Sequence, residues 1–180
     1  MTIIDHIRTY VGAPTDVWDD SAGEIDLRLA TIRGVPDPEV DTWITIGLGK
    51  HVLRLPSGKD VRQEFVFSHR RTIPDSAVNS LLFFICEICL SRHAAYAKGD
   101  LIELPAEAIT STGVTALYCT SPIQFDDAFD VYEGTDPPTV FVWLTPITTS
   151  EVLFVQENGW QLFESRLDAE NTDVYDALRR

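Results

Sequence analysis

The sequence predicts an α+β fold: a mainly antiparallel mixed sheet, with a long apolar helix packed on one face and flanking helices. Three observations carry this reading. β-rich runs punctuated by glycine or proline recur at Thr42–Gly49, Val61–Phe67, Val114–Pro122 and Thr139–Pro146. A stretch of helical composition, apolar over most of its circumference, lies between the second and third runs. Strands and helices do not alternate as a doubly wound parallel sheet requires.

Each element has a local cause. Ile3, Ile4, Ile7, Tyr10 and Val11 recur at helical spacing before Gly12 and Pro14, which predicts a short amphipathic helix. Ile25, Leu27 and Leu29 alternate with Asp26, Arg28 and Ala30, the period of a strand. "RGVPDPEVD" is a proline-bearing acidic loop. "TWITIGLG" and "VRQEFVF", separated by the turn residues "SGKD", read as antiparallel neighbours, with Gly47 and Gly49 marking a bend or bulge. Pro74 suits a helix start, and helical composition runs from about Asp75 to Tyr96, with Gly99 of "KGD" as its stop. "LIELP" is a short strand, "VTALYCTSP" a longer one, and "FDDAFDVYEGTDPP" an acidic loop pinned by its aromatics.

The last strand is apolar on both faces, so it is central and covered on each side; Pro146 is expected to end it. Thr148 stands three residues before Glu151, a capping box in which hydroxyl and carboxylate each satisfy a backbone N–H. Ile147 is placed to staple onto Val152, while Val152, Leu153, Phe154 and Val155 supply the buried surface. Gly159 fits a left-handed helix exit, with Trp160 folding back over the last turn. Residues 1–168 read as one domain, and residues 169–180 as an acidic C-terminal tail, helical or flexible.

The 180 residues carry 14 Lys+Arg against 28 Asp+Glu, a net charge of −14 that repels nucleic-acid phosphates and anionic membranes and favours a basic partner. "MTIIDHIRTYVG" lacks the basic and apolar regions of a secretory signal, and "SLLFFICEICL" is too short to span a bilayer. Three cysteines without a framework fit reduced thiols and a cytoplasmic setting. Cys86 and Cys89 lie within an apolar helix and read as core residues, not as a redox or zinc pair. The four histidines have no metal-ligand spacing, and no nucleophile elbow or phosphate loop is present. No metal or cofactor is expected.

Charge segregates along the chain. Lys50, Arg54, Lys59, Arg62, Arg70 and Arg71 form a basic island, while Asp126, Asp127, Asp130, Glu133 and Asp136 cluster in the late loop and Asp16, Asp19 and Asp20 lie near the start. Solvated loops are the simpler reading. The sharper one is a docking surface for a basic protein, with Trp18, Asp19, Asp20, Asp126, Asp127, Phe129, Asp130 and Tyr132 as its contacts and Phe125 as a further aromatic anchor. Two alternatives stand beside it. One is an enzyme site assembled in space around Arg62 and Glu64 with His51 or His69; Arg62 and Glu64 share a strand face, where a cross-strand salt bridge is the plainer reading. The other is an intracellular structural or regulatory homo-oligomer.

Several separated stretches together resemble the Suppressor of fused-like family, in its bacterial single-domain form. They are "TIGLG" (Thr45 to Gly49), "RQEF" (Arg62 to Phe65), "KGDLI" (Lys98 to Ile102), "TSP" (Thr120 to Pro122) and "TPITTSEVLFVQENGW" (Thr145 to Trp160). Order and spacing carry the resemblance, with the P-I-T-x-x-E segment, Pro146 to Glu151, strongest; Gln63 between Arg62 and Glu64, and Gly49 after "GL", depart from the family pattern. The resemblance implies an α+β fold and a binding role. Animal relatives sequester zinc-finger transcription factors with the help of a second domain, which this chain has no room for. Bacterial single-domain relatives are linked to immunity against polymorphic toxins. The expected function is therefore a non-enzymatic, cytoplasmic protein-binding module that neutralises a basic toxin domain by direct binding.

Overall fold

The computed structural model describes residues 1–19, 26–105 and 113–179. Among the described residues, nine strands form one sheet: β1 (Asp16–Asp19), β2 (Arg28–Ile32), β3 (Asp41–Ile46), β4 (Leu53–Arg54), β5 (Asp60–His69), β6 (Leu101–Glu103), β7 (Val114–Thr120), β8 (Val131–Tyr132) and β9 (Thr139–Thr148). Four α-helices accompany them among the described residues: α1 (Ile3–Tyr10), α2 (Asp75–Arg92), α3 (Thr149–Asn158) and α4 (Trp160–Ala169). The strand order is β1-β2-β3-β5-β9-β7-β6, with β4 paired to β5 and β8 to β9. Among the described strand pairs, β5 and β9 run parallel and the others are antiparallel. This is the mainly antiparallel α+β sheet that the sequence predicts, with β9 in its interior between β5 and β7.

Alternation sorts the side chains onto two faces. Phe65, Phe67, Leu117, Cys119, Val142 and Leu144 point one way and meet Val78, Leu81, Leu82, Ile85, Cys86 and Cys89 of α2. Both cysteines of the C-x-x-C are thus buried core residues. The opposite face carries two clusters. Ile44, Val66, Phe141 and Trp143 pack under α1 and the late acidic loop. Ala116, Tyr118 and Ile147 pack under α3 and α4 through Val155 and Phe163.

Several boundaries differ from the sequence expectation. α2 stops at Arg92, because His93 adopts the left-handed conformation and its N–H caps the helix. Residues 93–95 then leave to bond β4: Arg54 N–H donates to His93 O at 3.0 Å and Ala95 N–H to Arg54 O at 2.9 Å. Gly99 lies beyond that exit. Pro146 does not end β9. Pairing to β5 stops at Trp143, so past that point β7 is the one described strand beside β9. The Pro146 carbonyl accepts from the Arg179 guanidinium, away from β7, so the missing N–H also faces the open side and costs no ladder bond.

The capping box of α3 is present in both directions. The Thr148 N–H donates to Glu151 Oε2 at 2.7 Å. Ile147 is fully buried and Val152 packs beside it, as a staple requires, but Leu153 is 53% exposed and adds nothing to the core. Gly159 has φ 82° and ψ 163°, outside the left-handed helical well. It joins α3 directly to α4, so Trp160 opens a second helix and does not fold back. Residues 170–179, the expected acidic tail, form a chain of turns against the sheet. Arg70 N–H donates to Tyr175 O at 3.0 Å, Arg70 pairs with Asp173 at 2.5 Å, and Ala177 is fully buried.

Candidate functional site

The turn after β3 is built around Glu64 of β5. Burial leaves its side chain 1% exposed, and three donors converge on it: Thr45 Oγ1 at 2.6 Å, Gly47 N–H at 2.8 Å and Gly49 N–H at 2.9 Å. Burial pushes the Glu64 carboxyl up to about 7, against these hydrogen bonds, which favour its charged form. Gly47 is at φ 121°, and a Cβ there would meet Asp26 O at 2.3 Å, so only glycine closes this turn. The "TIGLG" and "RQEF" stretches thus form one structural unit: strand, turn and buried acceptor.

Arg62 shares that face but makes no ion pair with Glu64. Its guanidinium donates to three carbonyls instead: Lys50 O at 2.6 Å, Gly49 O at 3.0 Å and Asp136 O at 3.3 Å. This replaces the expected salt bridge with a clamp between the turn and the late acidic loop. A cleft of about 560 Å³ opens above the pair, reaching Met1, Tyr132 and Thr139. Neither His51 nor His69 lines it. His51 is exposed beside β4, and His69 lies at the far end of β5, stacked on Trp43 at 4.9 Å. The histidine-assisted constellation is therefore not assembled, and the oxygens of Glu64 are committed to holding the turn.

At that far end, Asp41 is fully buried and accepts from Arg71 at 2.7 Å, Arg33 at 2.8 Å and Gly34 N–H at 2.9 Å. Burial raises its carboxyl, but the two guanidinium ions and the N–H outweigh that and hold it at about 2. Arg33 also reaches Asp75 at 2.5 Å, tying the first turn of α2 to the sheet. Burial lowers His69, beside this network, to about 4.

The late loop contains most of the predicted docking residues, and the fold divides them. Asp126, Asp127, Glu133 and Asp136 are exposed, and Asp130 is half-buried. Burial raises the Asp130 carboxyl, and the nearby Asp127 charge adds to it. Among the described residues none of these five carboxylates has an ion pair. Phe129 and Tyr132 point inward instead. Phe129 stacks on Phe141 at 4.4 Å, and the Tyr132 hydroxyl donates to Met1 O at 2.8 Å. They pin the loop, and the exposed apolar side chains are Ile123, just before it and 72% exposed, and Val131 within it. Neither is aromatic, so the search for aromatic anchors does not single them out, although Ile123 directly follows the "TSP" stretch. Trp18 and Asp19 lie on β1, an edge strand whose residues are all exposed. The Trp18 indole donates to Thr31 Oγ1 at 3.1 Å, and Asp19 pairs with Arg28 at 3.0 Å. Asp20 lies outside the described residues.

The basic island is mostly neutralised within the fold. Lys50 pairs with Asp26, Arg54 with Asp60, Arg70 with Glu39 and Asp173, and Arg71 with Asp41. Burial pushes the Cys86 and Cys119 thiols up, and Cys89 to about 12, so none is a thiolate at neutral pH. Among the described residues no group of three or more His, Cys, Asp or Glu is arranged to hold a metal. No described helix is long and apolar enough to cross a membrane.

Comparison with known proteins follows the same lines. Residues 23–180 match the family model of Suppressor of fused protein (SUFU). Among solved structures, the chain is similar to a Suppressor of fused homologue from Neisseria gonorrhoeae FA 1090, at TM-score 0.77 and 14% identity, covering 99% of this chain and 93% of that one. A Sufu–Fu complex aligns at TM-score 0.71 and 16% identity, over 96% of this chain and 83% of that one. Suppressor of Fused from Drosophila aligns at TM-score 0.63 and 16% identity, over 88% of this chain but only 42% of its own. Comparison with curated proteins returned no match. The match over residues 23–180 spans most of the chain and shows that this chain belongs to the Suppressor of fused family.

Proposed function

We propose that this chain is a non-enzymatic, cytoplasmic protein-binding module, and that it acts as an immunity protein that occludes a basic toxin domain. The observation that carries the proposal is the late loop. Asp126, Asp127, Asp130, Glu133 and Asp136 have no ion pair among the described residues, while Lys50, Arg54, Arg70 and Arg71 are each neutralised within the fold. An unbalanced negative loop beside exposed Ile123 and Val131 gives a partner both a steering field and an apolar contact. The solved Sufu–Fu complex supports a binding role by likeness of fold.

Asp126, Asp127, Asp130, Ile123 and Val131 form the working surface, with Trp18 and Asp19 on the β1 edge as a second patch. Phe129 and Tyr132 hold the loop in shape. Co-expression with the product of the adjacent open reading frame tests the proposal. Protection of the host cell, lost when Asp126 and Asp127 become Lys, is the expected result. Protection unaffected by charge reversal across the loop refutes the assigned surface. An adjacent product that neither harms the cell nor binds the chain refutes the immunity role.

A further inference from the structure

Among the described residues the sheet ends on β6 at one edge and β1 at the other, and the two are finished differently. β6 is three residues long, buries Ile102 and has Pro105 shortly past its end, which blunts it. β1 leaves all four of its residues exposed. It pairs with β2 in unbroken register from Asp16↔Thr31 to Asp19↔Arg28, and no proline, lysine or bulge interrupts it. No described strand pairs with its outer edge. An edge left in this state is a template for another strand.

Alternation puts Asp16 and Trp18 on one face of β1 and Val17 and Asp19 on the other. Val17 is 55% exposed and Trp18 38%. The Trp18 indole N–H is taken by Thr31 Oγ1, so its ring is left to offer apolar contact. Asp16 and Asp19 meet Arg33 at 3.5 Å and Arg28 at 3.0 Å, yet their side chains stay 47% and 73% exposed. The order along the edge is acid, apolar, apolar, acid. Its complement is basic, apolar, apolar, basic, and that pattern reads the same for a parallel or an antiparallel neighbour. A second copy of β1 is a poor match. Antiparallel pairing about a twofold axis sets Asp16 against Asp19, between chains that each carry −14. We propose that β1 receives, by strand addition, an extended segment of a basic protein partner in which two apolar residues are flanked by Lys or Arg. Backbone hydrogen bonds to β1 hold the segment, and the alternating side chains set its register. This mode of contact rests on the reading of the chain as a module for a basic partner.

The test is a titration of the full chain with the peptide acetyl-Thr-Lys-Val-Val-Lys-Thr-amide, followed on backbone amide signals by NMR. Saturable shifts confined to β1 and the adjoining β2, with a roughly millimolar dissociation constant, are expected for so short a strand. Two control peptides separate the contributions. Glu in place of both Lys turns two attractive cross-strand pairs repulsive and should weaken binding about tenfold or more. N-methylation of the four Lys-Val-Val-Lys amides keeps the side chains and blocks both peptide edges, and should abolish the shifts. The Asp16→Asn/Asp19→Asn variant, changed only at exposed positions, should bind the Lys and Glu peptides about equally. No saturable shift at β1, or equal binding of the N-methylated peptide, overturns strand addition. A preference for Lys over Glu that survives in the double variant overturns the assigned register. Host-cell protection by a chain whose β1 ignores the peptide overturns strand addition and leaves the binding-module reading standing.

Discussion

Asp41→Asn isolates the electrostatic lock between the sheet and α2. In the folded chain the Asp41 carboxyl is held at about 2, against an ordinary value of 3.8. At ~1.36 kcal/mol per pH unit that difference is worth about 2.4 kcal/mol; Arg33 and Arg71 are partly solvated, so about 2 kcal/mol is the working figure. The folded pKa is depressed, so the unfolded chain takes up the proton first as pH falls. The contribution is therefore complete above pH 3.8 and is lost as pH falls through 3.8 towards 2. Asparagine keeps the shape but turns an amide NH₂ towards one of the guanidinium ions. Urea unfolding of the wild type and the variant across this range is the assay. The wild type should be more stable by about 2 kcal/mol at neutral pH, and most of that difference should vanish by about pH 2.5. A difference that stays constant down to that pH, or a variant as stable as the wild type at neutral pH, refutes the reasoning.

Other outcomes follow from the same structure. Neutral His69 favours the fold fully above pH 6.5, and this contribution falls away as pH drops to about 4. His69→Phe should therefore remove a loss on the order of 3 kcal/mol across that interval in acid-unfolding curves. Gly47→Ala places a methyl 2.3 Å from Asp26 O at a positive φ, and should lower stability in urea by at least about 2 kcal/mol. Thr148→Ala removes the α3 cap and should lower stability by about 1 kcal/mol, with partner affinity unchanged in a titration of the folded variant.

The sequence discloses this fold best where the cause of structure is local. Thr148 and Glu151 are three residues apart, so their capping box is readable without knowing what surrounds it. The doubly apolar run before it likewise reveals β9 as a central strand. Tertiary context decides the remainder. Whether Pro146 stops a strand depends on which neighbours run beside it, and here β5 pairing ends three residues earlier. Whether Phe129 and Tyr132 face a partner or the core depends on how the loop folds over Phe141. Alternation places Arg62 and Glu64 on one face but does not say that Gly47 and Gly49 cage the carboxylate while Arg62 takes carbonyls. The short edge strand β1 is all exposed and carries no apolar alternation, so it has no sequence signal.

The late acidic loop is proposed to steer and receive a basic protein. Its most direct test is the association rate between this chain and the product of the adjacent open reading frame, measured across ionic strength. Asp126, Asp127, Glu133 and Asp136 are neutralised together to Asn or Gln. The claim predicts association about tenfold or more slower for the variant at low salt, with the two rates converging as salt screens the loop. Equal rates at low salt, or a difference that salt does not diminish, would contradict it.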